Sequence, residues 1–292
     1  MSSVPARLAG VAAVFFALAG VAWAGDPGPG VARATSFGGS CQGCSLSGRK
    51  LTGATFSGGD FSRATLVGTD LRGASFTGAS FVGADFSRAD LRSSSLLTVN
   101  FSGATFTEAR LDGLEGAGAI FVGANLKRAQ LSSTQLVGAN FSHATLSDAK
   151  FGGAELVASN LSEVDARHAD FHEAELTGSR LINGRFQGAS FRGATLTGAD
   201  LTHGQFAGAD FRDADLEGAR LFGADMAGAK GLTQSQLEET CADSATRLPA
   251  GLWASRGCHG PMAIHIRLPG PPGMPSPPAT PGVVSVHHRG GN

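Results

Sequence analysis

The four cysteines are the side chains best suited to chemistry, and they fall as two local pairs, Cys41/Cys44 and Cys241/Cys258. Cys41-Gln42-Gly43-Cys44 has the C-x-x-C spacing of dithiol oxidoreductases. Redox chemistry at such a pair needs a depressed thiol pKa, commonly supplied by a helix N-terminus in a βαβ setting. Here the motif runs into a glycine- and alanine-rich repeat, so a structural disulfide or buried thiols are expected. Cys241 and Cys258 flank a short helical signal and its extended return. A bridge closing that loop would stabilise the fold by about 3 kcal/mol in the chain-entropy model. Four cysteines allow three pairings, which the sequence leaves open.

No other catalytic set separates itself. Serine and aspartate recur throughout, so no Ser/His/Asp group stands out, and no G-x-x-x-x-G-K-S/T phosphate loop is present. With 23 basic against 24 acidic residues, the composition offers no clustered Lys and Arg for nucleic acid. Nor does it suggest one strong field that would steer charged partners. No cofactor or resident metal is implied, and the chain is expected not to be an enzyme.

The N-terminus sets the compartment. Arg7 gives a thin positive region, residues 8–21 are uncharged and mostly apolar, and Ala22-Trp23-Ala24 precedes Gly25 as an A-x-A-type cleavage site. Residues 1–24 read as a secretory signal cleaved between Ala24 and Gly25. The apolar stretch falls short of the about 20 residues of a bilayer span, so a membrane is involved only if the signal stays uncleaved. Periplasmic or secreted localisation is expected, and with it an oxidising compartment.

The element that must position the cysteines is a five-residue clock. Of the 37 residues met at every fifth position from Leu46 to Met226, 19 are Leu, 15 Phe and one Met; only Gly116 and Ala166 depart. Two residues earlier in each unit, from Cys44 to Ala224, 24 of 37 are Ala. A period of five fits neither a helix near 3.6 nor a strand at 2. It fits a chain that turns a corner every five residues, with one large and one small side chain inward and three positions facing water. No Pro interrupts residues 46–230, as a backbone that donates to neighbouring coils requires. At Gly116 and Ala166 the small positions two residues earlier hold Leu114 and Val164, which reads as volume returned to the core.

Units such as Ala84-Asp85-Phe86-Ser87-Arg88, Ala139-Asn140-Phe141-Ser142-His143 and Ala199-Asp200-Leu201-Thr202-His203 resemble the A-(D/N)-(L/F)-(S/T/R)-G unit of the pentapeptide-repeat family. The resemblance covers residues 44–230. It implies an all-β fold, a right-handed quadrilateral parallel β-helix with four units to a coil. That makes about nine coils and a rod of roughly 45 Å. Residues twenty apart should then stack. Phe61, Phe81, Phe101, Phe121 and Phe141 would share one wall, and Phe151, Phe171, Phe191 and Phe211 the opposite one. The cysteine pairs would sit at opposite ends, which excludes a shared zinc site. His143 and His203 would lie three coils or about 14 Å apart, too far to share a metal. His168 stands over Asp148 in its column, within reach of a surface hydrogen bond, and His287 and His288 fall in the tail; all of these histidines read as solvated surface residues.

End coils need lids. Residues 25–43 form the lead-in and cap, with Phe37, out of phase with the clock, as a plug. Residues 231–260 form the C-terminal cap: Thr233 starts a short helix, Gln236 completes a capping box, and Leu232 and Leu237 face the last coil. This cap resembles that of bacterial family members. Residues 261–292 hold eight of the 12 prolines and read as a disordered tail.

The first functional expectation is a non-enzymatic exported rod presenting its faces to a protein or glycan partner. One branch of the family mimics duplex DNA and binds type II topoisomerases through a strongly negative surface. Residues 46–230 hold 20 acidic and 17 basic residues, so that reading ranks behind. An exported thiol- or metal-handling protein is a further alternative, which reactive Cys41 and Cys44 would mark. A homo-oligomer, through the C-terminal helix or by end-to-end stacking, stays open.

Overall fold

The computed structural model describes residues 36–256. Ala24, Gly25, Cys258, His287, His288 and the 261–292 segment lie outside the described residues.

One unit shows why the chain coils. Thr65 donates its N–H back to Cys44 O at 2.8 Å, Leu66 donates forward to Asp85 O at 2.7 Å, and Gly68 to Ser87 O at 2.9 Å. Thr69 N–H closes the corner on Leu66 O at 3.1 Å. One donor per unit is left, on the residue after the large one, and where Asp or Asn lies two residues earlier its side chain accepts it. Ser62, Ser87 and Ser102 N–H groups each bond the Oδ1 of Asp60, Asp85 and Asn100 at 2.9 Å. The repeat's preference for Asp or Asn is therefore backbone accounting.

The residue closing each corner takes a positive φ in every unit from Gly48 to Gly223. The residue before it does not, which is the type II turn pattern. Sixteen of these positions are not glycine, including Thr98 at 53° and Arg63 at 59°. Parallel bridges link residues twenty apart from Ser45↔Thr65 to Asp210↔Lys230, so the chain has four sides. Each side is mostly one bridge long. Within the regular coils β1 (Ser36–Phe37), β2 (Thr55–Ser57) and β3 (Ser75–Thr77), paired in parallel, extend into short strands.

The core follows the clock. Large residues from Leu46 to Met226 are buried, and so are the small ones from Ala54 to Ala224. Rings stack along Phe61, Phe81, Phe101, Phe121 and Phe141 at centroid spacings of 5.0, 5.6, 5.3 and 4.9 Å. On the opposite wall Phe151, Phe171, Phe191 and Phe211 stack at 5.0, 5.2 and 5.1 Å. Leu114 fills the gap at Gly116, where an added Cβ would stand 3.3 Å from Leu114 Cδ1 and 3.0 Å from Leu136 Cδ2.

Both ends leave the clock for a physical reason. Phe37 is out of phase in sequence yet in register in space: it pairs with Phe56, nineteen residues on, and their rings stack at 4.8 Å. Backbone pairing sets the register, and step is regained at Cys41, whose N–H bonds Asp60 O at 2.8 Å. Past Lys230 the steps lengthen, to Arg220↔Cys241 and Asp225↔Arg247, because helix α1 (Gln234–Leu237) occupies part of the final coil. Thr233 and Gln236 form the expected capping box, and Leu237 is fully buried. Gln236 Nε2 also donates to Phe211 O and Ala214 O at 2.9 and 2.7 Å, satisfying carbonyls of the last corner. β4 (Cys241–Ala242) pairs in parallel with β5 (Ser255–Arg256) to finish the lid.

Candidate interaction face

The cysteines are placed for structure. Cys41 and Cys44 form a disulfide across the first corner after β1, and both pack against the core. Cys241 is disulfide-bonded as well; its expected partner Cys258 lies outside the described residues. Among the described residues the one helix is α1, at the far end of the chain from the C-x-x-C motif. Among the described residues nothing near that motif supplies the helix N-terminus a redox thiol would use.

The histidines occupy corners and sides of the coils. His143 Nδ1 lies 3.2 Å from Glu163 Oε2 one coil on, and His172 Nδ1 lies 3.0 Å from Asp170 Oδ1. His168 does not bond Asp148. Its left-handed backbone throws the ring toward the next coil, into space that a side chain on Gly188 would need; His203 does the same over Gly223. Among the described residues no His, Cys, Asp and Glu group is placed to hold a metal ion.

What the sides do carry is charge, sorted by position. On one side, Arg72, Arg92 and Arg212 each turn back to grip the aspartate two residues earlier. Arg72 Nε and Nη2 lie 2.8 Å from the Asp70 oxygens, and Arg92 Nε and Nη2 lie 2.8 and 2.7 Å from those of Asp90. Arg212 holds Asp210 through Nε at 3.0 Å and Nη2 at 2.5 Å. These guanidinium hydrogen bonds hold all three carboxyls below the usual range, against the opposing effect of partial burial. They also draw these three arginines away from the side that follows.

That following side, whose outward column runs from Thr55 to Asp215, is one-signed. Glu115, Glu155, Glu175 and Asp215 stand in the column, flanked at its corners by Glu173, Asp213 and Glu217, and no Lys, Arg or His shares these positions. The remaining sides hold 13 acids against 17 bases within residues 46–230. The expectation of no single-sign field, drawn from whole-chain balance, therefore fails for this side. Its column rises about 4.8 Å per coil. Thr177 Oγ1 donates to Glu175 Oε1, and Thr197 Oγ1 to Asp215 Oδ2 at 3.0 Å, which orients two of the carboxylates. Where α1 meets the last coil, Asp213, Asp215, Glu217 and Glu239 line an open hollow with Ser235 and Gln236. The arrangement can bind cations spread over a surface, and it presents no nucleophile with a base.

Comparison with known proteins agrees with this geometry. The chain matches the family model described as pentapeptide repeats, in eight copies between residues 40 and 230. No curated protein matched the sequence. Among solved structures it is similar to HetL, a pentapeptide repeat protein involved in heterocyst differentiation regulation from the cyanobacterium Nostoc sp. That likeness has 26% identity and a TM-score of 0.62, over 70% of this chain and 92% of that one. QnrB1, a plasmid-mediated fluoroquinolone resistance protein, aligns at 20% identity and TM-score 0.43, over 70% and 94%. A pentapeptide repeat protein of the Arabidopsis thaliana thylakoid lumen aligns at 26% identity and TM-score 0.34, over 35% and 71%.

Proposed function

Because the chain belongs to the pentapeptide-repeat family, whose members form right-handed quadrilateral β-helices, we propose that it is a non-enzymatic exported rod that docks a basic protein surface on its acidic side. The observation that carries this reading is the side with seven carboxylates and no cation. A rigid coil holds those carboxylates before any partner arrives, so little side-chain ordering remains to oppose binding. Their summed field favours encounter with a cationic partner over a neutral glycan. Residues 1–24 support export, and the Cys41–Cys44 disulfide suits an oxidising compartment. Intact mass of the exported protein should begin at Gly25, with no thiol open to labelling.

The same side gives the DNA-mimic reading its one support. Its seven charges span about five coils or roughly 24 Å, one per about 3.4 Å, whereas duplex DNA carries one per 1.7 Å or so. Half the linear density favours a smaller basic protein patch over a duplex-binding groove.

Reversal of Glu155, Glu175 and Asp215 to Lys, tested by recovery of partner from the exported fraction of source cells, separates the cases. Recovery should fall at least about tenfold, as it should for wild type in high salt. Reversal of Asp85, Asp165 and Asp200, on other sides, should leave it intact. Equal recovery by both variants would remove the acidic side as the docking surface.

A further inference from the structure

We propose that a second copy of this chain packs antiparallel on the side next to the acidic one, about a two-fold axis through Ile120. The outward column of this side runs Asp60, Ser80, Asn100, Ile120, Asn140, Asn160 and Arg180, each bridged to the next. Between Asp60 and Arg180 the column holds no charge, and Ile120 interrupts its polar run with 36% of its surface exposed. The corners beside it carry the other exposed apolar residues of the array, Leu97 at 52% and Val82 at 38%. Ala117 and Val122 lie level with Ile120.

The charges at the two ends of this stretch are what select a second copy. Asp60 accepts hydrogen bonds from Ser62 and Gln42, and Arg180 is exposed; among the described residues neither has an ion-pair partner in its own chain. By contrast Asp70, Asp90, Asp165 and Asp210 all do. Asp60 and Arg180 each stand three coils from Ile120, on opposite sides. A two-fold axis across the rod at Ile120 sets Asp60 of one copy against Arg180 of the other, twice. The same operation sets Ser80 against Asn160, Asn100 against Asn140, Leu97 against Val137, and Ile120, Ala117 and Val122 each against itself. An isologous contact has this self-complementary form.

The seven rows span about 30 Å, and five residues across give about 16 Å, so roughly 500 Å² per copy is covered. The total of about 1,000 Å² is at the lower end for a specific interface, which corresponds to micromolar dissociation rather than an obligate dimer. The acidic side stays open in this arrangement, so the inference stands apart from the docking reading.

Sedimentation of the mature chain across a micromolar concentration series tests it. Wild type should pass from monomer to dimer, and Ile120→Arg should weaken that association at least about tenfold, with circular dichroism and melting unchanged. Asp60→Lys and Arg180→Asp should each weaken it alone, while both in one chain should restore it. A wild-type monomer throughout would overturn the proposal. So would a dimer indifferent to Ile120→Arg, as one built through the C-terminal helix or by end stacking would be, or a double variant no better than the singles.

Discussion

Phe141 and Phe151 meet edge to face, with ring centroids 5.8 Å apart and planes at 89°, and at that contact the aromatic ladder changes walls. Below it the rings of one wall stack on each other; above it the opposite wall does so, and leucines from Leu161 onward face them. The exchange keeps the interior evenly filled: apart from the coil of Phe141 and Phe151, each coil from Phe61 to Phe211 sets a phenylalanine against a leucine on these two walls.

Continuing the first ladder should therefore destabilise the rod. Leu161→Phe places a ring where Phe151 and Phe171 already fill the axis, an overpacking that costs about 1–3 kcal/mol. Guanidinium denaturation would read the loss. Stabilisation by this substitution would show that ring stacking along a wall outweighs cross-axis volume.

Leu114 and Gly116 should behave as one packing unit. Leu114→Ala empties the space that both residues share and should cost about 2–5 kcal/mol. The double change Leu114→Ala with Gly116→Leu rebuilds the regular unit and should recover most of it. Additive losses in this cycle would mean that the two positions do not share one space.

Thr98 holds a left-handed backbone at φ 53° with a β-branched side chain. Twenty of the corners from Gly48 to Gly223 place Gly there without the steric cost of a Cβ. Thr98→Gly should raise stability by about 1 kcal/mol, the left-handed cost outweighing the extra freedom of the unfolded chain. A lower melting temperature would contradict this.

Acid should destabilise the rod below the ordinary carboxylate range. Hydrogen bonds from Arg92 and Arg167 hold Asp90 and Asp165 below it, while the Ser62 side chain and then Gln42 do so for Asp60. A carboxyl with a depressed folded-state pKa contributes stability that is present above its unfolded value of about 3.9 and lost as pH falls through the folded one. Melting temperature should be flat from neutral pH to about 5 and fall beneath about 4. Asp165→Asn, which keeps the acceptor oxygen but cannot titrate, should shallow that fall.

The ladder, the compensated gaps and the capping helix were legible in the sequence because each repeats or carries a local signal. The register of Phe37 was not, since one residue fewer before Cys41 hides a regular pairing from a five-residue count. The lean of His168 toward Gly188 depends on a backbone angle that residue type does not announce. The acidic side escaped whole-chain charge because sides are sorted by position modulo twenty. Sampling every twentieth residue from Thr55 would have shown Glu115, Glu155, Glu175 and Asp215 in one column.

A photo-cross-linking side chain placed in turn at Thr195, Thr145, Lys150 and Asn140 samples all four sides in source cells. The account predicts a salt-sensitive adduct to a second, basic protein from Thr195, self-adducts alone from Asn140, and none from Thr145 or Lys150. Partner adducts from another side, or from all four alike, would contradict it.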